Sequence, residues 1–189
     1  AYYASVSFVD ALVGKILTAL ESTGQRENTI VIFTSDHGYH LGEHDMWQKV
    51  SIHEESAQVP LIICVPGKKP AVCHSLSELI DLYPTVSTLC GLKIPGNIQG
   101  KDISGMFDDP SVKVRDAALS SGKGRLLRTE KWALLDYGKK GELYDMEKDP
   151  KQYDNLFGDS NYAETLAELK AKLKAKLSEI AENDLPSKK

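Results

Sequence analysis

Asp36 and His37 stand side by side at the end of a run of β-branched and aromatic residues, and Gly38 follows them. A carboxylate offers hard oxygen and an imidazole offers borderline nitrogen, so the pair suits one divalent cation, although two ligands leave its coordination sphere incomplete. His40, Glu43, His44, Trp47 and Lys49 come next. The Lys49 ammonium can donate several bonds to one anion without demanding a planar partner, and Trp47 sets an aromatic wall beside it. His37, His40 and His44 also repeat at three- and four-residue steps, which invites a zinc reading. Gly38 and Gly42 argue against a continuous helix here, so that spacing is not expected to bring the three to one face. His53 reads as a packing residue and Glu54 as an anchor for the loop.

These residues need elements to hold them. Thr29 to Phe33 predicts a short buried strand, and the carboxyl end of such a strand is where open α/β sheets place metals and ligands. Gly38 to Glu55 is a long loop, a length that in compact domains usually carries function. Val59 to Val65 is almost wholly apolar and predicts a second strand buried on both faces, as in a parallel or mixed sheet, ended by Pro66-Gly67. Before them, Phe8, Val9, Leu12, Val13, Ile16, Leu17 and Leu20 share one face of a helix from about Tyr2 to Glu21, closed by Gly24, with Asp10 at the edge of the stripe. Ser77 to Cys90 keeps a helical spacing, with Pro84 opening a second helical piece and Gly91 ending it.

The composition changes between Lys93 and Lys113, where Gly, Pro and Asp crowd together, and this is the candidate domain boundary. Four extended stretches follow: Ala117 to Ser120, Arg125 to Arg128, Trp132 to Tyr137 and Glu142 to Tyr144. Glycine turns separate them, a pattern that predicts a small antiparallel sheet. Asn161 to Ile180 predicts a closing helix with a capping box at Asn161 and Glu164. Its leucine stripe is shorter than three heptads, so it reads as a helix laid on the sheet rather than a coiled coil.

The 189 residues are 41% hydrophobic and 26% charged with a net charge of -4, which gives no basic surface for nucleic acid. No apolar run is expected to approach the roughly 20 residues of a membrane span, and Ala1-Tyr2-Tyr3 lacks the charged and apolar regions of a signal peptide. The start without Met, already inside a helical pattern, suggests a fragment whose amino-terminal part is missing. Cys64, Cys73 and Cys90 cannot pair completely, so they leave the redox compartment open.

The strand ending in Ser35-Asp36-His37-Gly38, then Leu41-Gly42-Glu43-His44, Trp47, Lys49 and Val59-Pro60-Leu61-Ile62, resembles the sulfatase family, and most of all its iduronate-2-sulfatase-type branch. Glu78 to Thr85, Arg128 to Trp132, Glu142 to Asp145, Asp149-Pro150 and Asn155-Leu156 continue the resemblance in family order. It implies an α/β fold: the end of a mixed sheet flanked by helices, alkaline phosphatase/sulfatase-like, then a small antiparallel sheet with a C-terminal helix. Residues 1–107 would be the C-terminal part of the catalytic domain and 108–189 a small α+β subdomain.

In the site, the resemblance makes Asp36 and His37 ligands of one divalent cation, Ca2+ with Mg2+ as the alternative, completed by carboxylates from the amino-terminal part. Lys49 becomes a catalytic, sulfate-contacting residue, and Trp47 and His44 become substrate-binding. The family's nucleophile is a formylglycine made from Cys or Ser in a Cys-x-Pro-Ser-Arg context and is expected outside this chain. Cys64-Val65-Pro66-Gly67-Lys68 imitates that motif with Gly for Ser and Lys for Arg, and it falls where the family has its second strand and turn. The implied substrate is a small-molecule or saccharide sulfate ester, the partner is the missing amino-terminal part, and the compartment is exported, periplasmic or lysosomal. A phosphatase or phosphodiesterase of the same superfamily, and a non-catalytic processed fragment or binding module, are the alternatives.

Overall fold

A computed structural model describes residues 1–49 and 51–181. In chain order the elements are α1 (Tyr2–Ser22), β1 (Val31–Thr34), β2 (His40–Leu41), β3 (Trp47–Gln48), α2 (Glu54–Ala57), β4 (Leu61–Cys64), α3 (Leu82–Leu89), β5 (Ala118–Ser121), β6 (Arg125–Arg128), β7 (Trp132–Asp136), β8 (Gly141–Asp145) and α4 (Ala163–Ala181). Packing divides them into two compact units, Ala1–Thr34 with Pro60–Pro70 and Ser35–Val59 with Ala71–Lys189. This division follows contacts and differs from the composition change near Phe107.

In the first unit, α1 follows its apolar periodicity, and Gly24 beyond its end takes the left-handed φ of +69° that glycine accepts without steric cost. None of its described side chains is buried. Contrary to the expectation from the sequence, α1 is long and apolar enough to cross a membrane by length and composition, a criterion that a core helix also meets. β1 and β4 pair antiparallel, Val31 opposite Cys64 and Thr34 opposite Leu61. They were expected to be buried; instead Phe33 and Ile62 are exposed. A two-stranded ribbon has no neighbour to cover either face, so the apolar composition exceeds what these two strands bury together. Cys64 closes β4 and Gly67 turns the chain at φ +77°, so the Cys-Val-Pro-Gly-Lys run lies at a strand end and turn, as read.

The second unit is built on a four-stranded antiparallel meander in the order β5-β6-β7-β8, within a residue or two of the four predicted stretches. Alternation along the strands sends side chains to two cores. Leu127, Leu134 and Leu143 meet Ala117 and the α4 residues Leu169 and Leu173, so α4 is a helix on the sheet. Leu126, Ala133, Leu135 and Tyr144 face the other way, against Met146 and Ile52 of the loop. The α4 entry differs from its predicted cap: a 3-10 turn, Ser160–Tyr162, precedes the helix, and the Asp159 carboxylate accepts from the Asn161 amide at 2.9 Å.

Pro84 sits in the first turn of α3, where its missing N–H would have had no helical partner. The turn before it, Leu79–Asp81, carries a capping box between Glu78 and Asp81. Asp81 is wholly buried and accepts from the amides of Glu78 and Lys101 at 2.8 and 2.7 Å, while Glu78 accepts from the Leu119 amide of β5 at 2.7 Å. The buried Arg115 guanidinium spans both carboxylates in a tight ion pair. This staple ties α3 to the sheet, and it tolerates burial because its charges are paired and hydrogen-bonded. Arg115→Ala leaves the Asp81 carboxylate buried without its counter-charge. The variant should lose about 3–5 kcal/mol in denaturant unfolding; a loss within experimental error would remove the staple from the account.

Candidate functional site

The strand-end pair is set by backbone. The Gly38 amide donates to the Ser56 carbonyl at 2.9 Å. A Cβ on Gly38 would lie 2.0 Å from the Glu55 carbonyl oxygen. Only glycine lets the chain pass that close to α2, so Gly38 seats the two preceding residues as well as turning the chain. His37 Nδ1 lies 2.7 Å from the Gly38 carbonyl, which can only accept, so Nδ1 carries the hydrogen. A neutral His37 therefore bears its lone pair on Nε2, 3.6 Å from Asp36 Oδ1. An imidazole whose far nitrogen is fixed by a carbonyl, beside a carboxylate that is 84% exposed, is the usual arrangement of a metal-ligating pair. The donor chemistry fits a divalent cation. Among the described residues no three His, Cys, Asp or Glu side chains gather into a metal site.

Beyond Gly38 the loop forms a hairpin in which His40 pairs with Gln48 and Leu41 with Trp47. Glu43 Oε2 accepts from the Leu41 amide at 2.6 Å, and that bond holds the Glu43 carboxyl below its ordinary value. The hairpin is strained: His44 and Asp45 both have φ +56° and Gln48 has φ +74°, conformations that non-glycine residues keep only where the surroundings impose them. The strain presents Trp47, 66% exposed, and an exposed Lys49.

The same strain turns His44 inward. Its side chain is 9% exposed, and its ring stacks on His53 at 4.2 Å and on Tyr153 at 5.0 Å. His53 donates from Nε2 to Glu142 Oε2 at 2.8 Å, and Tyr144 donates its hydroxyl to the same oxygen at 2.6 Å. Those two bonds outweigh burial and keep the Glu142 carboxyl low; burial first, then the Glu142 charge, pushes the Tyr144 phenol up. A neutral His53 then accepts the Ser51 hydroxyl on Nδ1, at 2.6 Å. Next along the chain, the Glu54 amide donates to Gln152 Oε1 at 2.8 Å, and Arg128 Nε donates to the Glu54 carboxylate at 3.1 Å. Burial raises the Glu54 carboxyl, with Arg128 opposing it.

His53 and Glu54 thus lie where packing and anchoring were expected. His40 and His44 come within 6.0 Å, edge to face, but with His37 they form no group of three metal-ligating side chains among the described residues. Glu142, Tyr144 and Tyr153 were not foreseen around the loop. Glu142 and Tyr144 lie two apart on a strand and so share the face that meets Ile52, which is the one sign the sequence offered.

The architecture has close counterparts among solved structures. A protein in complex with its substrate D-glucosamine-2-N,6-O-disulfate superimposes with a TM-score of 0.81 at 31% identity, over 97% of this chain and 41% of that one. A phosphonate monoester hydrolase from Silicibacter pomeroyi gives a TM-score of 0.81 at 26% identity, over 89% and 38%. The fold is that of the alkaline phosphatase and sulfatase-like hydrolases. The family model Sulfatase matches residues 1–92. Over 201 residues the chain is 30% identical to an N-acetylglucosamine-6-O-sulfatase of Bacteroides thetaiotaomicron, covering 97% of this chain and 36% of that protein. The chain belongs to the sulfatase family, and it spans little more than a third of that relative's length.

Gly38→Ala forces the Glu55 carbonyl away and should unseat the strand-end pair. We expect amide hydrogen exchange in residues 35–58 to quicken while β5 to β8 keep their protection. Unchanged exchange in the loop would mean that another contact seats the pair.

Proposed function

We propose that the intact protein hydrolyses a sulfate ester of a sulfated sugar, and that this chain supplies part of the cation site and the anion-contacting face. The observation that carries the reading is the strand end: Asp36 Oδ1 lies 3.6 Å from Nε2 of His37, whose other nitrogen is fixed by the Gly38 carbonyl. The sulfatase matches support it, as do two similar proteins, one named for a 6-O-sulfated amino sugar and one bound to a disulfated glucosamine. The run Leu41-Gly42-Glu43-His44 supports an iduronate-2-sulfatase-type branch.

On this reading Asp36 and His37 bind one divalent cation, Ca2+ by its preference for oxygen and its tolerant geometry. When bound, the cation would supply positive charge against the sulfate oxygens. Formylglycine, expected outside residues 1–189, supplies the family's nucleophile. Lys49 holds a sulfate oxygen and meets the charge that develops there as the S–O bond breaks. Trp47 offers its exposed ring to an apolar sugar face. His44, turned inward, enters substrate binding by shaping the hairpin beside them. Residues 1–107 then close the catalytic domain and 108–189 form the subdomain on which the loop rests.

The phosphonate monoester hydrolase likeness favours a second reading, phosphoryl or phosphonyl ester hydrolysis by the same strand end. The purified full-length protein decides between them by its rates on matched sulfate and phosphonate esters. Asp36→Asn should weaken Ca2+ binding in calorimetry and lower turnover together. Lys49→Ala should lower kcat by about 10²–10³ with Ca2+ affinity nearly intact; turnover at the parent level would remove Lys49 from the reaction.

A further inference from the structure

Three imidazoles meet in the core of the loop. His44 and His53 stack at 4.2 Å with 25° between their planes, and His40, wholly buried, stands edge-on to both at 6.0 and 6.3 Å. Each ring of the stack has its own carboxylate on a different side. Glu142 on β8 bonds His53 at 2.8 Å, while Glu55 on α2 lies 3.4 Å from His44 Nε2 without a hydrogen bond. Glu43 faces His40 and His44 from the hairpin. Tyr144 and Tyr137 face Glu142, Tyr153 stacks on His44, and Glu54 is taken up by Arg128.

The stack also holds a strained backbone. His44, Asp45 and Gln48 are left-handed, and His44 is the one among them whose ring is locked between two aromatic partners. If that ring leaves, the left-handed residues relax and Trp47 and Lys49 lose their placement. A proton on His44 would set a buried cation against a ring already committed to a carboxylate, offset only in part by Glu55 at 3.4 Å.

We propose that the His44–His53 stack is an acid-sensitive latch on the loop bearing Trp47 and Lys49, closed when His44 is neutral and released when His44 takes up a proton. The latch stands on the loop's own packing; only its consequence, loss of the anion-contacting face, rests on the sulfate-ester reading. Burial, and then the neighbouring His53, lowers the His44 pKa from its ordinary 6.5. A histidine with a lowered pKa in the closed state binds fewer protons there than when released. The closed state is therefore fully favoured above pH 6.5 and loses that advantage as the pH falls through it toward the lowered value.

Hydrogen exchange of the full-length protein, followed by mass spectrometry from about pH 7.5 to 5.5 and corrected for intrinsic rates, tests this. These pH values bracket the ordinary histidine range. Protection of residues 40–49 should fall several-fold, while peptides from β6 and β7 stay protected. In His44→Phe, which keeps a ring in the stack and cannot titrate, the fall should vanish. If that variant is open at both pH values, Glu55→Gln decides. Without the Glu55 charge opposite its Nε2, His44 holds a proton less readily in the closed loop, so the fall should exceed the parent's. A parent loop with constant protection, or a fall in Glu55→Gln no larger than the parent's, overturns the latch. Exchange does not depend on turnover, so an absence of sulfate-ester hydrolysis would leave this result standing on its own.

Discussion

The His53–Glu142 bond is the contact on which the site depends. Glu142 belongs to the last strand of the meander and His53 to the loop that follows the hairpin, and 2.8 Å joins them. A hydrogen bond to an ionised acceptor is shorter and stronger than a neutral one, and this one is sheltered, with His53 only 3% exposed. Ile52 beside it is buried in the sheet's core. One residue thus supplies apolar anchorage and the next directional anchorage. The loop is long and polar, and these two, with the Glu54 bonds to Gln152 and Arg128, set its position against the entropy of its length.

The two halves of the loop are held by different forces. Asp36 and His37 are placed by backbone: a glycine no side chain could replace, whose N–H donates to the Ser56 carbonyl and whose own carbonyl fixes the His37 tautomer. Trp47 and Lys49 are placed by side chains, through a strained hairpin whose inward histidine is stacked on two rings. Backbone bonds carry no titratable group, whereas an imidazole stack does.

Much of the scaffold was legible. Strand period and glycine turns located β5 to β8 nearly residue by residue, because β6, β7 and β8 alternate apolar side chains between two real cores. The leucine stripe of α4 was read as a helix on a sheet, and Leu169 and Leu173 are buried there. The ribbon of β1 and β4 was read as buried because apolar runs record the company a strand keeps in its whole domain, and these two strands bury less than that together. Asp36 and His37 were visible because adjacent residues need no fold to bring them together. The histidine cluster was not, because it joins His44, His53, Glu142 and Tyr153 across separations that no local period encodes.

Glu78 and Asp81 show how a family motif can be conspicuous without being chemical. Both are acids in a helical stretch that the sequence marks strongly, and both are consumed by Arg115 and by backbone amides of neighbouring segments. Their oxygens are engaged, so they are poor candidates for a metal or a proton relay. Asp36 is the opposite case: an exposed carboxylate in a chain whose other strongly marked acids are spoken for. That contrast in satisfaction, more than the identity of the residues, separates the acid left open to solvent from those that hold the fold together.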